Sequence, residues 1–287
     1  HDLHEVAKSI TQHQVDTRFA VMVSDDTHPY TLKNNGHLDH IVRRAVEEGI
    51  DVVTAIQMVT INCAQCFQMD QDLGSIAPGK CADIVLIGDL KKLNVTKVLI
   101  DGKVVAENGA MTVPMEPYSY PEWAMNSMHL RDAITPDSFH IPASGDEVTA
   151  RVIEVIPARV GSYERHAKLK VINGMVESDP AQDVLKTAVF ERHHATGKVG
   201  FGFVKGFGIQ CGAMASTVAH DAHNLLVIGT NDADMALAAN TLVSCGGGMT
   251  AVQNGKVLGT VPLPIAGLMN NKPLEEMSKI VENLGKA

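Results

Sequence analysis

The sequence predicts an α/β protein built in two parts. Three observations carry this. An apolar, β-rich run at residues 17–24 (TRFAVMVS) stops at Asp25-Asp26 and is followed by two stretches of helical spacing. Residues 74–113 then change to turn-and-strand text. From residue 147 a second β-rich region begins, rich in glycine and interrupted by one helical stretch.

Taken in order, residues 17–24 read as a buried parallel strand that ends in a functional loop. Gly36–Gly49 places Leu38, Ile41, Val42, Ala45 and Val46 on one helical face, and Gly49 suits the position just past the helix end. Val52–Gln68 reads as a second helix, with Ala55, Ile56, Val59 and Ala64 on one face. Between 74 and 113, Asp101-Gly102 is a strong hairpin signal. Residues 114–146 hold five of the twelve prolines and little periodicity, as expected of a connector. Beyond it, 148–157 and 166–175 read as strand-like, and 190–208 as glycine-rich β text with tight turns. Residues 232–245 read as a helix with Asp232 as N-cap candidate and Gly246 at its end, and Asn254-Gly255 as a hairpin turn. The domain reading is therefore 1–73, 74–113, 114–146 and 147–287.

The chain has 287 residues, 45% hydrophobic and 20% charged, the balance of a globular protein. Its net charge of −9 argues against nucleic-acid binding, which needs clustered Lys and Arg, but leaves a neutral free base possible as ligand. No apolar run approaches the ~20 residues that span a bilayer, so no membrane partner is expected. Five sparsely placed cysteines fit a reducing, cytoplasmic setting. The first residue is His1 rather than Met, from which an upstream segment is expected.

The candidate chemistry begins at Ser24-Asp25-Asp26-Thr27-His28-Pro29. A carboxylate at the C-terminal end of a buried strand is where β/α barrels place catalytic groups. There it can take a proton from a water and return it to a leaving amine. A turn or N-cap aspartate is the competing reading. His220-Asp221-Ala222-His223 is the other dense cluster. If extended, it would put His220 and Ala222 on one face and Asp221 and His223 on the other, which argues against one ligand set; a hydrogen-bonded structural cluster at a strand entry is the simpler reading. In its functional version this loop, with His193 and His194, closes over the mouth of a β/α barrel. His1 and His4 have His-x-x-His spacing one helical turn apart, with ligation the weaker reading. Cys63-Ala-Gln-Cys66 lacks the second pair a zinc or redox site needs, and buried small residues explain it. The H-x-E with P-C-x-x-C set of the zinc nucleobase deaminases is missing. The glycines at 200, 202, 206 and 208 read as strand turns and bulges, and Gly246-Gly247-Gly248 as a helix stop.

The order SDDTHP, GHLDHIVRRAVEEGI, AIQMVTINCAQCF, LGSIAPGKCADIVLI, VLIDGKVVAENG resembles the last barrel strand and helix of amidohydrolases and the return into their small β domain. ERHHATGKVGFGFVKGFG, CGAMASTVAHDAHNLLVIGTNDADMALA and VPLPIAGLM resemble the extra C-terminal domain of bacterial and archaeal adenine deaminases. The resemblance covers essentially the whole chain. It implies the end of an amidohydrolase β/α barrel plus part of a small β domain, followed by a separate α/β C-terminal domain. It implies hydrolysis of adenine to hypoxanthine and ammonia, with a binuclear Mn2+ or Fe2+ centre in the complete enzyme. Asp25 matches the catalytic aspartate and a metal-contacting position, while the remaining ligands belong to the barrel strands upstream. Asp26 and His28 are candidate outer or substrate-facing groups, and His220, Asp221 and His223 a candidate loop over the site. The implied partners are adenine, the upstream half of the enzyme and further copies in a homo-oligomer. Two alternatives stay open: an amidohydrolase acting on another cyclic amidine or amide, and a non-catalytic assembly module.

Overall fold

The computed structural model describes residues 3–90, 92–157 and 161–287. The chain divides into two compact units, His1–Tyr118 and Ser119–Ala287. Among the described residues no helix is long and apolar enough to cross a membrane.

The first unit opens with α1 (Leu3–Thr11), α2 (Pro29–Asn34), α3 (Leu38–Glu47), α4 (Val52–Val59) and α5 (Ile61–Cys66). The predicted apolar faces meet: Val42 and Ala45 of α3 and Ala55 and Met58 of α4 are buried with Ala7, Met22, Ile50 and Leu93. α3 ends as its glycine predicts. Gly49 is left-handed at φ 95°, Gly49 N–H donates to Val46 O, and Ile50 N–H donates to Ala45 O at 3.1 Å. That is the two-bond helix stop a Cβ would disfavour. Asp51 then caps α4, accepting the N–H groups of Val53 and Thr54.

Two local expectations differ from the structure. The helix expected over 52–68 is split at Thr60, whose Oγ1 donates back to Ile56 O at 2.7 Å. A β-branched hydroxyl residue loses side-chain freedom in a helix and competes for its carbonyls. The strand expected over 17–24 is not formed. Thr17–Phe19 is a short 3₁₀ turn capped by Asp16. The segment after it is held by Met22 N–H to Met58 O and by Asn62, which donates to Thr17 O and Ala20 O. Phe19 and Val23 are 87% and 66% exposed. A parallel strand is a ladder before it is a sequence, and among the described residues no neighbouring strand pairs with this one.

The four-stranded antiparallel sheet of this unit runs β1 (Ile84–Asp89), β2 (Asn94–Ile100), β3 (Lys103–Glu107), β4 (Ala110–Met111) in spatial order. Asp101 and Gly102, at φ 49° and 72°, make the hairpin turn in which Ile100 faces Lys103.

The second unit carries α6 (Glu122–Met125), then β5 (Glu147–Val155), β6 (Ser162–Ile172), β7 (Met175–Val176), β8 (Val184–Phe190), β9 (Val199–Lys205), β10 (Ala213–Ser216) and β11 (Leu225–Gly229). After these come α7 (Asp232–Ser244), β12 (Gly248–Gln253), β13 (Lys256–Pro262) and α8 (Leu274–Leu284). The strands form one nine-stranded sheet, ordered β13-β12-β10-β11-β8-β9-β5-β6-β7, antiparallel except for β5 against β9. β8, near the centre, is buried along six of its seven residues. α7 buries Met235, Ala238, Ala239 and Leu242 against Ala188, Ala213, Ala215 and Val227. Phe139 and Ile134 of the proline-rich stretch fill the same core. The helix N-cap is Asn231, one residue before the one expected. Asp232 is already helical, and its carboxylate turns to the buried Lys186 ammonium at 2.7 Å.

Asp234 is a second buried anchor. Its oxygens accept the N–H groups of Asn254 and Gly255 and the Asn231 amide, tying α7 to the β12–β13 turn. Burial alone would raise its carboxyl; these hydrogen bonds outweigh that and hold it below the ordinary carboxylate range.

Lys186 is 1% exposed and its partner Asp232 16%, so truncating the partner leaves a buried charge unpaired. Asp232→Ala is expected to destabilise the chain by about 3–5 kcal/mol, measured by urea unfolding, while Lys186→Met, which removes the buried charge itself, is expected to lose much less.

Candidate functional site

Two separate places carry the chemistry predicted from sequence. In the first unit, Asp25 follows the extended segment in a left-handed conformation, φ 52°. Asp26 N–H donates to Asp25 Oδ1 at 2.8 Å, and Ser24 Oγ pairs with His37 Nε2 at 2.9 Å. Asp25, Asp26 and His28 are all exposed. His28 stands at the N-cap of α2 without a side-chain capping bond. The geometry thus presents a carboxylate at a turn before a helix, open to solvent. Among the described residues, no group of three or more His, Cys, Asp and Glu converges in a way that could hold a metal ion. Of the His-x-x-His pair, His1 lies outside the described residues, and His4 Nδ1 is 2.7 Å from Glu48. The cysteines are all free thiols, and Cys63 Sγ is directed at Met58 O.

In the second unit, the structure gathers the predicted histidines around a residue that sequence reasoning did not single out. Arg192 follows β8 and is 1% exposed. Its Nε donates to His223 O at 2.7 Å, Nη1 to Ser127 O at 2.7 Å and to Ser127 Oγ, and Nη2 to Ala266 O at 2.9 Å. One buried guanidinium therefore pins segments near 127, 223 and 266, using carbonyl acceptors where a carboxylate would be the usual partner. Burial pushes its pKa below the ordinary arginine value. Gly267 is needed beside it: at φ 72°, an added Cβ would sit 2.7 Å from Arg192 Nη2.

Glu191, the preceding residue, builds the adjoining loop. Its carboxylate accepts the N–H groups of His193, His194 and Thr196 and the Thr196 hydroxyl. The Thr196 backbone bond is the largest influence, and these contacts bring its pKa down to about 2 against the opposing pull of burial. His193 Nε2 lies 2.9 Å from Ala222 O. A carbonyl only accepts, so this nitrogen carries the proton.

The 220–223 segment is a turn and not an extended strand: His223 N–H donates to Ala219 O at 2.7 Å. The two-face alternation expected of a strand does not hold. The turn instead brings the His220 and His223 rings together edge to face, centroids 4.8 Å apart. His223 Nδ1 is buried without a hydrogen-bond partner. His220 and Asp221 are exposed and His223 half-buried. The sequence signal that could have found Arg192 is weak. It is one arginine directly after the apolar strand VLKTAVF, where a buried partner set can only come from distant segments.

Comparison with known proteins adds an independent observation. Residues 13–105 match the amidohydrolase family, and residues 160–287 match the adenine deaminase C-terminal domain. The chain is similar to adenine deaminases along its whole length. It is 70% identical over 288 residues to an adenine deaminase of Clostridium botulinum (strain Langeland), covering all of this chain and 48% of that protein. It is 51% identical to one from Moorella thermoacetica, over 97% of this chain and 47% of that protein. It is 43% identical to adenine deaminase 3 of Rhizobium meliloti, over all of this chain and 48% of that protein. The chain thus spans about half the length of the curated relatives it matches.

Two measurements follow from the second-unit geometry. Arg192→Met strands buried carbonyls at 127, 223 and 266, and unfolding by urea is expected to show a loss of about 3–5 kcal/mol. Glu191 has a depressed folded-state pKa, so its contribution is present above the ordinary value of 4.5 and is lost as pH falls through about 2. The stability gap between the wild type and Glu191→Gln is therefore expected to be full at pH 6 and to shrink on acidification across that window.

Proposed function

We propose that the complete protein is a hydrolase that converts adenine and water to hypoxanthine and ammonia. The observation that carries this reading is the family match: 70% identity over the whole chain to a protein named adenine deaminase, including the C-terminal domain that takes its description from that activity.

Within that reading Asp25 is the catalytic carboxylate. Hydrolytic deamination needs a proton taken from the attacking water and one delivered to the departing amine as the C6–N6 bond breaks, and a carboxylate at an open turn before a helix is suited to both transfers. The exposed position of Asp25 on a short turn supports it, because a substrate can approach from the open side. Asp26 and His28, two turn positions beside it, are proposed to face the substrate or to order the loop.

A two-metal centre of manganese or iron is part of the proposal for the complete enzyme. The described residues of this chain do not make up such a centre: Asp25 is the one ligand proposed here, and no converging His, Cys, Asp and Glu group completes it. The remaining ligands are assigned to the upstream segment. The exposed apolar side chains of the first unit, among them Phe19, Val23, Phe67 and Ile76, support a second proposal, that this segment covers them. Purine salvage in a cytoplasmic setting fits the substrate and the five free thiols.

The test is ammonia release from adenine by the complete protein supplied with manganese or iron. Turnover of adenine in preference to other cyclic amidines is expected, and an adenine-inert, metal-loaded enzyme would defeat the reading. Asp25→Asn is expected to lower kcat by about 10²–10⁴; unchanged turnover would remove Asp25 from its role while leaving the activity intact.

A further inference from the structure

We infer that the corner formed by His193, His220 and His223 is a binding site for a neutral, planar nitrogen heterocycle of the purine class, housed in Ser119–Ala287 and independent of Asp25. The choice of purine rests on the proposed function; the presence of a site rests on the geometry that follows.

The corner is held in place before any ligand arrives. Arg192 fixes the carbonyl of His223 from below, and the Glu191 cradle fixes the backbone of His193 and His194. Three residues of this small region, Ala195, His223 and Ala266, adopt left-handed backbone without being glycine, at φ 51°, 49° and 56°. Such conformations persist where the surroundings over-determine them, and they gather at ligand sites. A framework of this kind organises side chains that have spare hydrogen-bonding capacity. His223 Nδ1 is buried and without a partner, a state that costs about 1–3 kcal/mol. The exposed His220 ring leans edge to face on His223.

Charge selects the ligand class. Arg192 is buried and bonded to carbonyl oxygens and Ser127, and Arg131, which reaches Thr196 O, is paired with Asp132, so both guanidiniums are already engaged. Glu191 and Asp221 add negative charge, which disfavours a phosphate. The described residues offer no three-ligand group for a cation. The remaining chemistry is neutral and mixed. His193 donates through Nε2 to Ala222 O, leaving Nδ1 as an acceptor, and a buried unpartnered His223 Nδ1 is least costly as a lone pair. Acceptors of this kind call for N–H donors on a flat ring, which adenine supplies through N6 and N9 and which an imidazole edge can stack against.

The experiment is a titration of the 287-residue chain with adenine, followed by the histidine ring resonances in NMR. Saturable shifts of His193, His220 and His223 are expected, with His166 on β6 unmoved. His223→Phe, which keeps the ring shape and removes the nitrogens, is expected to weaken binding about tenfold, and His223→Asn to recover part of that loss. His220→Ala, on the exposed ring, is a second variant and is also expected to weaken binding. Absence of saturable shifts, or equal binding by the Phe and Ala variants, overturns the inference. So does a response of the three histidines to zinc chloride with none to adenine. Adenine turnover by the complete enzyme with no binding here sinks this site and leaves the deaminase reading standing. Binding here with an adenine-inert complete enzyme does the reverse.

Discussion

The second unit is organised around a charge that has no opposite charge to meet. Arg192 sits at the end of the central strand β8 with its guanidinium buried, and its donors reach carbonyl oxygens near residues 127, 223 and 266. Burying an ion without a counter-ion is expensive unless its hydrogen bonds are made. The three segments must therefore be where they are, together, or the guanidinium is left stranded. That requirement fixes the 220–223 turn, the Ala266-Gly267 corner and the segment just after α6. The left-handed residues and the glycine at 267 are local consequences of bringing three backbones onto one side chain.

Lys186 and Asp232 solve the same problem differently. There the buried cation meets a carboxylate at 2.7 Å, at the start of α7. A paired charge of that kind locks one strand to one helix. The unpaired Arg192 instead locks several loops to one another, because each carbonyl supplies only a fraction of the compensation. Glu191 completes the pattern by collecting the N–H groups of the following loop. Two adjacent residues, Glu191 and Arg192, thus gather opposite poles of the backbone, one taking its donors and the other its acceptors.

In the first unit the balance is between a well-formed helical layer and an extended segment that lacks a ladder. The helices bury their predicted faces, because an amphipathic helix satisfies its backbone within itself and needs only an apolar neighbour. Residues 17–24 have the composition of a strand but satisfy their backbone differently, through Met58 and the Asn62 side chain. Asp25 therefore emerges from a single strand-like run rather than from a sheet edge, and its surroundings are solvent on the described residues.

The sequence by itself determined what is local. The period of α3, the stop at Gly49, the Asp101-Gly102 and Asn254-Gly255 turns, and the end of α7 at Gly246 were all legible, since each depends on side chains within a few residues of one another. The motif order carried the likeness to adenine deaminases, and Asp25 was visible as a carboxylate closing an apolar run. Only the tertiary structure decided the rest. The break at Thr60 depends on one hydroxyl choosing a carbonyl. The absence of a ladder at 17–24 depends on which strands lie alongside. The pairing of His220 with His223 depends on a turn that no alternation rule foresees. Arg192 is the plainest case: its partners lie 31, 65 and 74 residues away along the chain, and a pattern spread over that distance leaves no periodicity to read. Short-range backbone geometry is written in adjacent residues, whereas the compensation of a buried charge is written only in the positions to which folding brings distant carbonyls.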